Sequence, residues 1–204
     1  SGGDLTTIAL EFETEENKYY FHSHSFMPKG RLYEHIQTDL APYDVWERMG
    51  LITVTGSSGD FKNDYKFILS YLKNEYNLKI KGIGIDPHNA DGILSDLEGF
   101  GAPVVLVTQS CRNLNDATVD LQLSVKSEMV EYDKENELLS WSFINAVTVK
   151  NSFDEIKVDK KPNARHKRID PVDACIDAHY LVIKSHKTDV NEDMENYFAI
   201  MGWQ

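Results

Sequence analysis

Residues 79–108 read KIKGIGIDPHNADGILSDLEGFGAPVVLVT, and the fold turns on them. Lys79 to Ile85 predicts a strand, which Asp86-Pro87 ends, and Asn89 to Gly99 predicts a short helix. Pro103 to Thr108 (PVVLVT) is apolar throughout, the pattern of a strand covered on both faces. Strand, helix and strand in that order imply a parallel pair joined by a crossover, right-handed by the usual rule.

Upstream, Phe61 to Tyr76 carries apolar residues at 61, 65, 68, 69, 72 and 76, a helical period, with Asp60 as a candidate N-cap. Leu51 to Thr55 (LITVT) predicts a strand, and Gly30 to Gly50 shows helical spacing interrupted before Pro42. Thr6 to Glu13 and Lys18 to Phe26 read as strands joined at Glu15-Glu16-Asn17, an antiparallel hairpin. Downstream, Asn115 to Tyr132 predicts a helix, and Trp141 to Val149 reads as helix or strand. Asn151 to Val158 predicts a turn and short strand. Asp170 opens a last helix to about Lys184, with 185–204 as a tail. A hairpin followed by crossovers gives an α/β fold whose mixed sheet is flanked by helices on both faces.

The 204 residues suffice for one well-packed domain without a disulfide or metal staple. Two cysteines, Cys111 and Cys175, exclude a disulfide framework and a cysteine-rich zinc site, and a reducing cytoplasm fits them. No apolar run is long enough to span a membrane, so no membrane partner is expected, and no charged-then-apolar leader is evident. Against 33 acidic residues stand 21 basic ones, a net charge of −12, so nucleic-acid contact requires a local basic patch or metal ions. No GxxxxGK[ST], dinucleotide fingerprint, HExxH or GxSxG is present.

Three features carry chemistry. Asp86 sits at the carboxyl end of an apolar strand, where open α/β sheets bind ligands; before Pro87 it also reads as a helix start. Asp170, Asp173 and Asp177 fall on one helical face, and also suit a capped helix with a solvated acidic side. Strand-end and helix-start carboxylates together suit hard cations: Mg²⁺ takes oxygen ligands and only one or two protein carboxylates. Two such ions about 4 Å apart assist phosphodiester hydrolysis. Lys157 to Arg168 (KVDKKPNARHKR) places six of the 21 basic residues in twelve positions, a DNA-backbone contact or a solvated loop. Its candidates are Lys160, Lys161, Arg165, Lys167 and Arg168.

The ordered series PYDVWERMGLITVTG (42–56), an amphipathic helix, IGIDPHNA (83–90), PVVLVTQ (103–109), NAVTVKNSFDEIKVDK (145–160) and KRIDPVDACIDAHYLV (167–182) resembles the nuclease domain of large terminase subunits of tailed bacteriophages. The resemblance covers roughly residues 4 to 184. It implies an RNase H-like fold and a two-metal endonuclease, using Mg or Mn, that cuts concatemeric double-stranded viral DNA. Asp86 and Asp170 would be the metal-binding acids, with Asp173 assisting; Gln109 and Asn145 match positions of undefined role. The implied partners are DNA, an amino-terminal ATPase domain, a small terminase subunit and the portal. The implied location is the cytoplasm of an infected or lysogenic bacterial host.

One departure matters. The family's leading aspartate lies on a first strand in a DLSS-like stretch. Either Asp4 is the downstream acid of that stretch, so strand and ligand lie upstream, or Asp4-Leu5-Thr6-Thr7 is itself that element. Because Thr6 to Glu13 already reads as the next strand, the first alignment is favoured and weak cleavage by this chain alone is expected. Two other readings compete: a non-catalytic DNA-binding or portal-docking module, and a doubly wound nucleotide-binding domain, which the missing glycine-rich loop disfavours.

Overall fold

The computed structural model describes residues 5–57, 59, 63–75, 79–88, 90, 92–161 and 167–200, with side chains to 187. Strand β1 (Thr6–Glu13) pairs antiparallel with β2 (Tyr19–Pro28), in register from Thr6 opposite Phe26 to Glu13 opposite Tyr19. Asn17, at φ 57°, turns the chain between them. Asparagine tolerates this left-handed conformation better than most residues.

Helices α1 (Lys29–Asp39) and α2 (Tyr43–Arg48) follow, split as the sequence predicts before Pro42. Strand β3 (Ile52–Thr55) then pairs parallel with the last residues of β2. Helix α3 (Tyr65–Glu75) begins later than its periodicity suggests. Asn63 is instead tied to the sheet, accepting from Thr55 Oγ1 at 2.7 Å and donating to Thr6 Oγ1 at 2.8 Å. Asp60, Phe61 and Tyr76 lie outside the described residues.

Strands β4 (Ile83–Ile85) and β5 (Val104–Leu106) form the expected parallel pair, bridged by the short α4 (Leu94–Glu98). Helix α5 (Cys111–Lys126) is capped by Ser110, whose hydroxyl accepts from Asn113 N at 3.2 Å. The predicted helix to Tyr132 stops short, because Glu128 turns left-handed (φ 59°) and β6 (Val130–Tyr132) joins the start of β2 in parallel. The ambiguous 141–149 segment divides between α6 (Glu137–Asn145) and β7 (Ala146–Lys150), which pairs antiparallel with β8 (Ile156–Lys160). Helix α7 (Asp170–Ile200) runs past Lys184, correcting the expected end; no Gly or Pro interrupts residues 172–201.

The architecture is the predicted α/β class with a mixed sheet. Alternation along β2 sends Phe21 toward α5 and α7, Met27 toward α1 and α2, and Phe26 toward α3 and α4. Ile83, Ile85 and Val104 pack with Phe26, and Val107, just past β5, packs with Phe21, but Leu106 is half exposed, so the expected strand covered on both faces is covered only in part. Yet β1 and β4 belong to separate hydrogen-bonded sheets, although α7 packs across both. Among the described residues no helix is long and apolar enough to cross a membrane.

Candidate functional site

The site is assembled where β4 passes beneath α7. Gly84 makes the close approach possible: a Cβ there would lie 3.0 Å from Asp177 O and 3.3 Å from Val107 Cγ2. Two residues on, Asp86 is exposed, and its Oδ1 accepts from His88 N at 2.9 Å. That bond satisfies one carboxylate oxygen within a local turn and uses only one of several acceptor positions; Asp86 does not cap a helix as the helix-start reading expects, because α4 begins only at Leu94, with Ile93 at its N-cap.

On α7 the apolar side is deeply packed, with Val172, Cys175 and Ile176 in the core and Val172 N donating to Ser142 Oγ at 3.2 Å. The same helical period that buries them aligns Asp170, Asp173 and Asp177. Burial first, then the charges of Asp170 and Asp177, push the Asp173 carboxyl up to about 8, partly offset by Lys157 and Lys160. Burial pushes Asp177 up to about 7; a hydrogen bond from Gln109 opposes it and the Asp86 charge adds to it. Gln109 Nε2 donates to Asp177 Oδ1 at 2.8 Å and to Val107 O at 3.0 Å.

The acids thus form a chain of mutually repelling carboxylates, Asp170 and Asp177 both acting on Asp173, and Asp86 on Asp177. Seven helical residues separate Asp170 from Asp177, about 10 Å along the axis. Asp177 is therefore the helix acid that Asp86 influences, and Gln109 is its anchor. The i, i+3, i+7 spacing marks Asp177 in the sequence, but its link to Asp86 depends on Gly84.

A divalent cation matches this row in chemical kind, since hard oxygen donors at high charge density gain from neutralisation. Among the described residues, however, no three His, Cys, Asp or Glu side chains converge to hold a metal by themselves. A partial set is compatible with Mg²⁺, which retains several waters.

The basic segment separates into different environments. Lys157 and Lys160 on β8 act on Asp173. Lys161 N donates to Asn145 O at 3.3 Å, closing the end of the hairpin. Lys167 Nζ lies 5.6 Å from the Trp141 ring centroid. Arg168 turns inward: its Nε donates to Asp39 Oδ2 at 3.2 Å and its Nη2 lies 3.2 Å from His35 Nδ1. Arg165 and Asp4 lie outside the described residues. Asn145 is buried at the α6–β7 junction, its Nδ2 without a hydrogen-bond partner among the described residues.

A second polar cluster is hidden in the composition. His179 is fully buried on α7, between Glu11 of β1 and Asp120 of α5, at 2.7 and 3.0 Å. Neither helical spacing nor charge patterning reveals this cluster, because its members come from three distant elements.

Residues 1–186 match the family described as terminase large subunit, endonuclease domain. The chain is 26% identical over 160 residues to the large terminase subunit of Enterobacteria phage HK97, covering 77% of this chain and 31% of that protein. It is 27% identical over 159 residues to protein YmfN of Escherichia coli strain K12, covering 76% and 34% respectively. The crystal structure of the HK97 bacteriophage large terminase shares the fold at a TM-score of 0.77 and 24% identity, over 88% of this chain and 37% of that one. The chain spans about a third of the length of these relatives. With the family match extending from the first hairpin through the acidic stretch of α7, the chain belongs to the endonuclease-domain family of large terminase subunits.

Proposed function

We propose that this domain hydrolyses phosphodiester bonds of concatemeric double-stranded viral DNA during packaging, with Asp86, Asp170 and Asp173 holding two divalent cations, Mg²⁺ or Mn²⁺. The observation that carries the reading is the junction of β4 and α7, where Asp86 joins a row of carboxylates on one face of α7, its charge adding to the raised proton affinity of buried Asp177 and those of Asp170 and Asp177 to that of Asp173. Bound ions would supply Lewis acidity toward a phosphoryl oxygen and activate water. Gln109 holds the Asp177 carboxylate in place, and Lys157 and Lys160 reduce the repulsion that the acids exert on an incoming phosphate. Lys160, Lys161, Arg165 and Lys167 contact the DNA backbone. Arg168 instead braces the start of α7 against α1 through Asp39.

An ATPase domain, a small subunit and the portal are the partners of the whole protein, in the cytoplasm of an infected or lysogenic bacterial host. A second reading, a non-catalytic DNA-binding or portal-docking module, is favoured by one observation: no three-ligand metal group exists among the described residues.

The deciding experiment is cleavage of supercoiled plasmid with Mn²⁺ by the chain as given and by a form extended upstream by about ten residues, a strand with a margin. Each is compared with Asp86→Ala, Asp170→Ala and Asp173→Ala. Cutting by either parent, lost in the Asp86 and Asp170 variants, is the expected result. If neither form cuts or binds Mn²⁺, the docking module replaces the nuclease.

A further inference from the structure

Asn145 closes α6 as a buried amide with an unused donor. It is 7% exposed, and its Nδ2 reaches no acceptor among the described residues. Native proteins keep few such groups, because a buried N–H without a partner has lost water and gained nothing. The orphan donor therefore points to an acceptor that another state of the protein supplies.

Its neighbours place this amide beside the first turns of α7. Leu138, Ser142 and Asn145 recur at helical spacing along the buried face of α6. Ser142 Oγ, one turn before Asn145, accepts from Val172 N at 3.2 Å. Ala146, the next residue, packs against Val172, Cys175 and Ile176 and stands opposite Lys160 in the β7–β8 register. The Lys160 charge acts on Asp173. Both flanks of Asn145 thus lead to the part of α7 that carries Asp173. Lys161 N donates to Asn145 O at 3.3 Å, which holds the backbone of the amide in place.

The acids of the junction are not equally supported. Asp86 accepts from His88 N, and Asp177 accepts from Gln109 Nε2. For the Asp173 carboxylate no such donor is present among the described residues. Carboxylates that hold a cation are ordinarily hydrogen-bonded as well, and those donors fix their orientation. A neutral amide suits the task, since it donates without adding a positive charge that would repel the cation.

We propose that Asn145 is a positioning residue of the cation site, its Nδ2 donating to the Asp173 carboxylate when a divalent cation is held there, as Gln109 donates to Asp177 in this structure. The inference rests on the nuclease reading and deepens it. Two amides, one from the end of β5 and one from the end of α6, then hold two acids of the α7 row.

The test measures Mn²⁺ binding to the full chain by titration calorimetry, and melting without metal by circular dichroism. The variants are Asn145→Leu, Asn145→Ala, Asp173→Asn and the double variant Asn145→Leu/Asp173→Asn. Leucine keeps nearly the shape of asparagine and removes its donors. Asn145→Leu should bind Mn²⁺ on the order of tenfold more weakly. Without metal it should melt at the parent's temperature or above, because an unpaired buried donor is gone. Asn145→Ala should lose similar affinity, which keeps the test informative if leucine folds poorly. The double variant should bind no more weakly than Asp173→Asn alone, since both changes act on one carboxylate. Unchanged Mn²⁺ affinity in both Asn145 variants, with or without a lower melting temperature, identifies a structural amide; it overturns the proposal and leaves the nuclease reading standing. Fully additive losses in the double variant overturn the assignment to Asp173. No Mn²⁺ binding by the parent, with or without the upstream extension, overturns both readings.

Discussion

His179 Nδ1 lies 2.7 Å from Glu11 Oε1, fully buried where α7 crosses β1. Burial alone would lower the imidazole pKa, but hydrogen bonds and charge from Glu11 and Asp120 together raise it. Burial raises Glu11, against the opposing effect of His179, with Glu13 and Asp120 adding to the rise. Tyr19 meets the imidazole edge-on at 4.7 Å between centroids. The pair therefore holds its protons to higher pH than either residue does alone. A histidine with a raised folded pKa contributes stability that is complete below about 6.5 and lost as pH rises through the folded value. The raised Glu11 acts in the same direction, its cost growing as pH rises above its ordinary range. Urea denaturation should show stability falling from pH 6 to pH 9, with a shallower fall in His179→Gln. Glu11→Ala should cost about 3 kcal/mol at pH 6, since it leaves the buried imidazole with Asp120 as its one carboxylate partner among the described residues.

Asp39, completely buried, accepts from Tyr43 OH at 2.8 Å and from Arg168 Nε at 3.2 Å. Removal of either member of such a pair costs about 3–5 kcal/mol. Arg168→Ala should therefore lower the denaturation midpoint strongly. Arg168→Lys should recover only part of it, because an ammonium lacks the fork that reaches Asp39 and His35 together. Equal effects of Ala and Lys on duplex affinity at matched folded fraction, with no change in stability, would return Arg168 to the DNA surface.

Gly84→Ala should separate β4 from α7. The added methyl would sit 3.0 Å from the carbonyl of Asp177, tighter than most real Cβ contacts, so the backbone of α7 must give way. A small-to-large change in a packed contact costs about 1–3 kcal/mol. Metal-dependent activity, measured under conditions where the variant is fully folded, should fall further than Gly82→Ala, whose Cβ would meet only Leu181 Cδ1 at 3.5 Å and Pro103 O at 3.9 Å.

Asp173 and Asp177, raised by burial to about 8 and about 7, impose a stability cost that grows as pH rises above the ordinary carboxylate range and is complete only above those values. Without metal, Asp173→Asn should raise the melting temperature more at pH 9 than at pH 6, by removing the charge. Mn²⁺ should stabilise the parent more at pH 9 than at pH 6, and this gain should shrink in Asp173→Asn. Calorimetric scans with and without 5-fold excess Mn²⁺, about that order, check both signs. An Mn²⁺ effect identical in parent and variant would remove Asp173 from the cation site.

The first hairpin, the parallel β4–β5 pair and the face of α7 were legible because each depends on local periodicity and turn chemistry. Acids spaced three and four apart must share a helical face, wherever the helix packs. The basic stretch was legible as charge but not as contact, since Arg168 finds Asp39 from 129 positions away. The end of α5 was misread because β6 is too short to announce itself, and its pairing with β2 is a tertiary choice.

The type of the first two strands, of β4, β5 and α7, the mixed α/β class and the membership of Asp170, Asp173 and Asp177 in one row were determined by the sequence alone. Tertiary structure decided which acid Asp86 faces, which basic groups remain at the surface and that His179 joins Glu11 and Asp120. Those outcomes depend on how closely β4, β1 and α5 approach α7. Such approach is set by side-chain volume and the absence of a Cβ at Gly84 across long sequence separations, which no local pattern encodes.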